Sequence, residues 1–192
     1  GDATRVSLAA DPEREGEAGY NILRAVGFPV AGPEVITCPA CGSKHEFKVW
    51  DSINTKQDPE LKEAVRTGDA FRYTCPDCGA TALLNYNFLY HQMEDKYMVF
   101  VSVEGDAWNQ MMSILSARQK DLPDYTMRIV RSYNDFREKL MILYAGLDDR
   151  VVEIIKSSVW HNVEETYADK GIDEILFAMN DDGEHGFLFR SK

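Results

Sequence analysis

Two identical five-residue frames constrain this chain more tightly than any other feature of its sequence. All four cysteines fall in frames of the form Cys-Pro-x-Cys-Gly, at residues 38–42 and 75–79. Two residues between thiolates let one turn hold both sulfurs on a metal ion, about 3.7 Å apart for Zn–S bonds near 2.3 Å. Proline presets that turn, and glycine permits the positive φ that points backbone N–H groups at sulfur. We therefore predict one structural zinc ion bound by Cys38, Cys41, Cys75 and Cys78.

The alternative to zinc is a pair of disulfides, for which four cysteines allow three pairings. The matched proline and glycine positions favour metal, and a site closed by four sulfurs leaves no open position for catalysis. His45 could replace one sulfur ligand, but with four cysteines available we expect it to be an ordinary strand residue. The 33 residues at positions 42–74 exceed the spacing of about 15–20 in a minimal ribbon. We expect a helix over residues 58–67 to account for the difference.

Hydrophobic periodicity and turn residues predict an α+β chain. Residues 1–30 would form an N-terminal helix and linker, and residues 31–92 a zinc-ribbon-like unit with antiparallel strands. Residues 93–192 would form a mixed helix–strand part, packed with the ribbon as one compact domain. The predicted strands cover residues 34–37, 45–50, 71–74, 81–86, 97–103 and 125–131, with a closing hairpin of residues 175–179 and 187–190. The predicted helices cover residues 11–27, 58–67, 108–115, 134–144 and 148–165.

Charge and composition narrow the classes of partner. The net charge of −11 disfavours binding to nucleic-acid backbones. Residues 38–78 carry six basic and seven acidic side chains, so the cysteine region offers no basic patch. No apolar run reaches the roughly 18 residues of a membrane span, and no signal peptide is visible, so we expect a cytoplasmic protein. We expect the partner to be another protein that docks at the knuckle tips. Trp50 and Tyr90 are candidate anchors there, unless both simply pack in the core.

Two further patterns have a functional and a structural interpretation. Trp108, Met111, Met112 and Leu115 have helical spacing, and we favour a core-facing stripe over a methionine-rich binding groove. The second pattern is a run of charged residues between Arg128 and Lys156. We favour the interpretation that they form ion pairs on helix surfaces, such as Arg150–Glu153 and Glu153–Lys156. The alternative is a polar pocket in which Glu138 or Glu153 acts as a general acid or base. We predict no catalytic residues and no further cofactor site, and a binding module is favoured over an enzyme. The run consists of Arg128, Glu138, Lys139, Asp148, Asp149, Arg150, Glu153 and Lys156.

The sequence resembles the CpXC-domain proteins of bacteria and archaea over most of residues 34–160. The resemblance rests first on both cysteine frames. It extends to Trp50-Asp51-Ser52-Ile53-Asn54, Asp58-Pro59-Glu60-Leu61-Lys62, Gly68, Phe88-Leu89-Tyr90-His91, Arg128-Ile129-Val130, Glu138-Lys139, and Gly146-Leu147-Asp148-Asp149-Arg150 through Glu153 and Lys156. It implies one zinc-bearing unit and no particular chemistry, because the family is functionally uncharacterised.

A second, shorter resemblance lies at residues 8–18. Leu-Ala-Ala-Asp-Pro-Glu-Arg-Glu-Gly-Glu-Ala is similar to the acidic, magnesium-binding motif of type IA topoisomerases, although Glu13 stands where that family has its second aspartate. Asp-Pro-Glu is also an ordinary helix start. The alternatives to a protein-interaction module are therefore a nucleic-acid-associated zinc ribbon and the remnant of a magnesium-dependent, topoisomerase-like enzyme.

Overall fold

A computed structural model describes residues 33–103, 108–166, 171–180 and 182–191. The helix predicted at residues 11–27 and the acidic motif at residues 8–18 lie outside the described residues. The chain divides into two compact units, residues 1–133 and residues 134–192. The predicted boundaries after residues 30 and 92 stay predictions, as does the packing of the whole chain as one domain.

The first unit contains two short hairpins, and each carries one cysteine frame in its turn. Strand β1 (Pro33–Thr37) pairs antiparallel with β2 (Lys44–Lys48) around the first frame. Strand β4 (Arg72–Thr74) pairs in the same way with β5 (Thr81–Leu83) around the second. The alternating burial of β2 is typical of a strand with one covered face. The two cysteine-bearing turns are therefore presented by equivalent hairpins.

The same unit contains a mixed four-stranded sheet that the sequence did not reveal. Its order is β3 (Ser52–Asn54), β6 (Phe88–Gln92), β7 (Tyr97–Val101) and β8 (Thr126–Val130). The two outer pairs are parallel and the central pair is antiparallel. All five residues of β6 are buried, so it lacks the alternation by which a strand is recognised. Thus β6, at the end of the predicted ribbon, pairs with this sheet and with neither hairpin.

Helices connect these strands. Helix α1 (Pro59–Thr67) follows Asp58, has proline at its start and ends at Gly68, whose φ of 87° is left-handed, as predicted. A short 3₁₀ helix (Asp69–Phe71) then leads into β4. Helix α2 (Trp108–Arg118) buries Met111 and Leu115 against the sheet. Met112, however, is 45% exposed, so the predicted single core-facing stripe is wrong for this residue.

The second unit consists of two helices and one hairpin. Helices α3 (Tyr133–Tyr144) and α4 (Asp149–Thr166) are followed by β9 (Ile172–Met179) and β10 (His185–Ser191), which pair antiparallel. Asp148 caps α4, because its Oδ1 accepts the Arg150 N–H at 3.0 Å. Ile142, Val152 and Phe177 form the buried core of the unit. Together the two units confirm the α+β fold class. Within the described part of the chain, no helix is both long and apolar enough to cross a bilayer.

Candidate metal centre

The four cysteine sulfurs converge on one point between the two hairpins. The Sγ atoms of Cys38 and Cys78 are 3.7 Å apart, as are those of Cys41 and Cys75. All four sulfurs lie within 4.8 Å of one another, and the cysteines are not joined in disulfides. The 3.7 Å distances match two sulfurs on one tetrahedral ion with metal–sulfur bonds of about 2.3 Å. The four cysteines are therefore placed to bind a metal ion.

The two turns have the same backbone hydrogen bonds. In the first, the Cys38 N–H donates to the Ser43 carbonyl at 2.8 Å and the Gly42 N–H to the Cys38 carbonyl at 2.9 Å. In the second, Cys75 donates to Ala80 at 2.8 Å and Gly79 to Cys75 at 2.9 Å. Gly42 and Gly79 have φ angles of 75° and 72°, in the region where a side chain is strained. The repeated frame thus encodes a repeated turn, which we call a knuckle.

Each knuckle contributes one buried and one exposed cysteine. Cys38 and Cys75 are buried, whereas Cys41 and Cys78 are exposed. The buried pair packs with Tyr73 in a small core, and Ile36, Phe47, Ala80 and Leu84 lie around it. The rings of Phe47 and Tyr73, from different hairpins, meet edge to face at 5.8 Å. Of the described residues, only Cys38, Tyr73 and Cys75 are buried in the core of the hairpins, so the apolar packing described there is small.

Ser43 is a polar residue of the centre that the sequence reasoning did not identify. Its Oγ lies 3.0 Å from the Cys41 sulfur and 3.4 Å from the Cys75 sulfur, so one hydroxyl contacts both knuckles. His45, a strand residue as expected, places its Nε2 3.1 Å from the Ser43 Oγ and 3.0 Å from Oδ2 of Asp77. Asp77 is at the exposed tip of the second knuckle. The position of Ser43 directly after a Cys-Pro-x-Cys-Gly frame is the signal that could have pointed to it.

Hydrogen bonds and neighbouring sulfurs shift the ionisation of the thiols in opposite directions. The Ser43 hydroxyl is the main reason that the pKa of Cys75 falls to about 5, and it also lowers the pKa of Cys41. For Cys78 the Ala80 N–H lowers the pKa, but the adjacent sulfurs, that of Cys41 first, raise it to about 12. Four thiolates this close repel one another, so a bound cation is what allows all four to ionise. The donor set therefore suits a divalent metal ion.

Tyr73 reflects the same electrostatic environment. Burial, followed by its contact with Cys75, raises the pKa of the Tyr73 hydroxyl to about 12. The hydroxyl therefore stays neutral next to sulfurs that carry negative charge.

The charged run contains a buried network that the sequence interpretation placed on helix surfaces. Lys139, from α3, contacts Asp149 at 3.1 Å and Glu153 at 3.0 Å on α4. Lys156, on α4, contacts Glu138 at 2.7 Å on α3 and Glu153 at 3.7 Å. Glu138, Lys139 and Asp149 are buried, so the interpretation as surface pairs is wrong for these three residues.

The remaining members of the run stay outside this network. Arg150 pairs with Asp148 at 2.6 Å and not, as predicted, with Glu153. Arg128 lies on β8 in the first unit.

Comparisons with known proteins agree with the cysteine pattern. A family profile described as CpXC protein matches residues 36–156, which is more than half of the chain. No solved structure matches the chain.

Shorter matches connect the chain to a group of enzymes, each called 4-hydroxy-3-methylbut-2-en-1-yl diphosphate synthase (flavodoxin). The protein of Buchnera aphidicola subsp. Schizaphis graminum is 48% identical over 54 residues, which are 28% of this chain and 14% of the enzyme. That of Magnetococcus marinus is 45% identical over 53 residues, with the same two shares. That of Vibrio atlanticus is 40% identical over 75 residues, or 39% of this chain and 20% of the enzyme. The chain thus spans a fifth or less of these relatives.

Proposed function

This chain belongs to the CpXC protein family, and from its cysteine cluster we propose that it is a zinc-binding protein-interaction module. Cys38, Cys41, Cys75 and Cys78 are the proposed zinc ligands. The observation that carries the proposal is the convergence of four sulfurs within 4.8 Å from two knuckles with identical backbone geometry.

The sulfur geometry favours one ion over an iron–sulfur cluster. Four-cysteine sets also hold such clusters, in which different irons carry different cysteines. The sulfurs of a cluster site must therefore lie farther apart than those around a single ion. Around one ion with bonds of about 2.3 Å, no two sulfurs can be more than about 4.6 Å apart. All four sulfurs lie within 4.8 Å of one another, and the pairs Cys38–Cys78 and Cys41–Cys75 are each 3.7 Å apart, as expected around a single ion. Zinc is the usual occupant of a closed tetrahedral four-sulfur site.

A closed site supports a structural role for the metal. Catalytic zinc keeps a position open for water or substrate, whereas four thiolates fill the tetrahedron. The ion would instead connect the two hairpins, whose shared core contains three buried residues in the part of the chain that the structure describes. The name of the relatives describes a synthase, but the chain spans only 14% to 20% of those three enzymes, so we propose no synthase activity.

The exposed side of the knuckles supports a binding role. Pro39, Ala40, Pro76 and Asp77 are exposed at the two tips. Trp50 is half-buried with the Lys48 ammonium 3.7 Å from its ring centroid, so part of this aromatic remains accessible. Tyr90, in contrast, is fully buried and is not an anchor. Protein remains the proposed partner class, because the charge balance of residues 38–78 gives phosphate no attractive surface.

Elemental analysis of the protein purified without chelator tests the metal assignment. We expect about one zinc per chain, and loss of that zinc in Cys75→Ser. Thr74→Ser, a substitution at the exposed neighbouring position, is the matched control and keeps the metal. Protein that is folded, free of metal and closed by two disulfides would contradict the proposal.

A gel-shift assay with single- and double-stranded DNA and RNA tests the partner class. We expect no tight binding at physiological salt. Sub-micromolar, salt-sensitive binding would favour the nucleic-acid-associated ribbon. Magnesium-dependent nicking that is lost in Glu17→Ala would favour the topoisomerase-like alternative.

A further inference from the structure

Strand β8 is the last strand in the order of the mixed sheet, as far as the described residues show. Among the described residues it pairs only with β7. The Thr126 N–H donates toward β7, to the Lys96 carbonyl at 2.8 Å, and the Val130 carbonyl accepts from Ser102 at 2.9 Å. Because backbone groups alternate in direction along a strand, those of Met127 and Ile129 point away from the sheet. Backbone groups that point away from a sheet in this way can pair with a further strand.

A groove runs along this edge between β8 and helix α2. Its volume is about 410 Å³, within the range of about 300–1,000 Å³ typical of ligand sites. The helix wall consists of Trp108, Met112, Leu115, Ser116 and Gln119, and the strand wall of Met127, Arg128 and Ile129. Met111, one position from Met112, faces the core instead. The helix thus has two apolar stripes, one packed against the sheet and one directed to the groove.

The charged side chains that the structure describes at the groove are basic, in a chain whose net charge is −11. Of the residues that the structure describes in its lining, none is acidic, and Arg128 is basic. The Arg131 guanidinium lies 4.8 Å from the centroid of the Trp108 ring at one end of the groove. Arg128 Nη1 donates to the outward-facing Met127 carbonyl at 2.8 Å and so partly covers the edge. A ligand could replace both partners of this contact. Its backbone N–H would donate to the Met127 carbonyl, and its carboxylate would accept from the Arg128 guanidinium.

We propose that an extended peptide binds here as a fifth strand along β8, with an apolar side chain in the groove and a carboxylate at Arg128 and Arg131. Backbone hydrogen bonds to Met127 and Ile129 supply affinity, and the apolar groove and the two arginines supply specificity. A second copy of this chain is a poorer occupant, because symmetric pairing of β8 would bring like-charged arginines together. This surface extends the proposed binding role, but it lies outside the metal centre and does not require zinc.

Selection from a display library of random linear peptides, followed by hydrogen exchange, tests the proposal. We expect selected sequences with apolar residues at alternate positions beside an aspartate, a glutamate or a free C-terminus. Bound peptide should slow exchange at the Met127 and Ile129 amides and leave the Thr126 and Arg128 amides, which face β7, unchanged. N-methylation of the peptide at alternate residues should weaken binding at least about tenfold, because it removes edge hydrogen bonds. Amidated and free-acid forms distinguish a C-terminal carboxylate from an acidic side chain.

Substitutions on the protein provide the matched comparison. Met112→Glu places a negative charge in the groove and should abolish peptide binding, and Arg131→Glu should weaken it at least about tenfold. Met179→Glu is the control, because Met179 is exposed to 46% against 45% for Met112 and lies on β9 of the second unit. All three variants should keep the zinc content of the parent protein, so failure of the groove leaves the metal assignment intact.

Three results would overturn the peptide proposal. These are a library that yields no binder, binders that protect amides elsewhere, and a homodimer that Met112→Glu dissociates. The last result would assign the edge to a second copy of the chain.

Discussion

His91 is a buried imidazole in the centre of the mixed sheet. It lies on β6, is 1% exposed, and its Nε2 is 3.2 Å from the Tyr125 hydroxyl. Burial lowers the pKa of His91 from 6.5 to about 4, and the opposing effect of Glu94 is smaller. The imidazole is therefore neutral in the folded protein at pH 7 and takes up a proton only when the unit unfolds or the solution becomes acidic.

This histidine predicts a specific loss of stability in mild acid. Because the folded pKa lies below the unfolded value, the contribution is complete above pH 6.5 and is lost as pH falls towards 4. The free energy of unfolding should decrease by about 2 kcal/mol between pH 7.5 and pH 5 through this group alone. His91→Gln should remove that part of the pH dependence, and the same change at the exposed His185 should not. Equal pH profiles for the parent protein and His91→Gln would contradict the assignment.

Helices α3 and α4 are held together by the buried ion pairs. Glu138 is the central acceptor of one pair, since its carboxylate binds the Lys156 ammonium at 2.7 Å and the Phe177 N–H at 2.5 Å. Sequence spacing identifies pairs three or four apart within one helix, and it correctly predicted Glu153–Lys156. It could not identify pairs 10 to 18 residues apart, because these depend on how the two helices pack.

Neutralising Glu138 should therefore be costly. Glu138→Gln keeps an oxygen for the Phe177 N–H but removes the buried negative charge that pairs with the half-buried Lys156, and we expect a loss of about 3 kcal/mol in the free energy of unfolding. Glu63→Gln is the matched control, because Glu63 forms an exposed pair with Arg66 at 2.6 Å. Breaking that pair should cost much less, because solvent screens an exposed ion pair. Denaturant titration measures the free energy of unfolding of both variants. Similar losses in the two would contradict the expectation that the buried carboxylate of Glu138 contributes more to stability than the exposed one of Glu63.

The first unit contains two regions that differ in what stabilises them. The hairpins share a small core around Cys38, Tyr73 and Cys75, whereas the mixed sheet and α2 enclose eight buried residues. If the metal connects the hairpins, its removal should affect them alone, because binding energy in such sites is folding energy.

Chelation of the metal should accordingly unfold the knuckle hairpins locally. We expect amides of β1, β2, β4 and β5 to exchange rapidly after chelator treatment, while those of β6 and β7 stay protected. Added zinc should restore protection. Global unfolding, or no change at the hairpins, would be inconsistent with a local structural role.

The sequence predicted those parts of the molecule that local chemistry determines. The repeated cysteine frame predicted both knuckles, and Asp58, Pro59 and Gly68 predicted the bounds of α1. Strand β3 was missed because three residues are too short to show a period, and β6 because a fully buried strand has no alternation. A methionine-rich groove was considered but disfavoured, because Met111 and Met112 were assigned to one face, although successive helical residues point about 100° apart. Ser43 was missed because its role depends on a sulfur 32 residues away.

X-ray absorption spectroscopy of the purified protein tests the central claim most directly, because it reports the element and its nearest neighbours together. The account predicts a zinc edge and a first shell of four sulfurs at about 2.3 Å, with no second metal nearby. An iron edge, a short metal–metal distance, or nitrogen or oxygen in the first shell would contradict it.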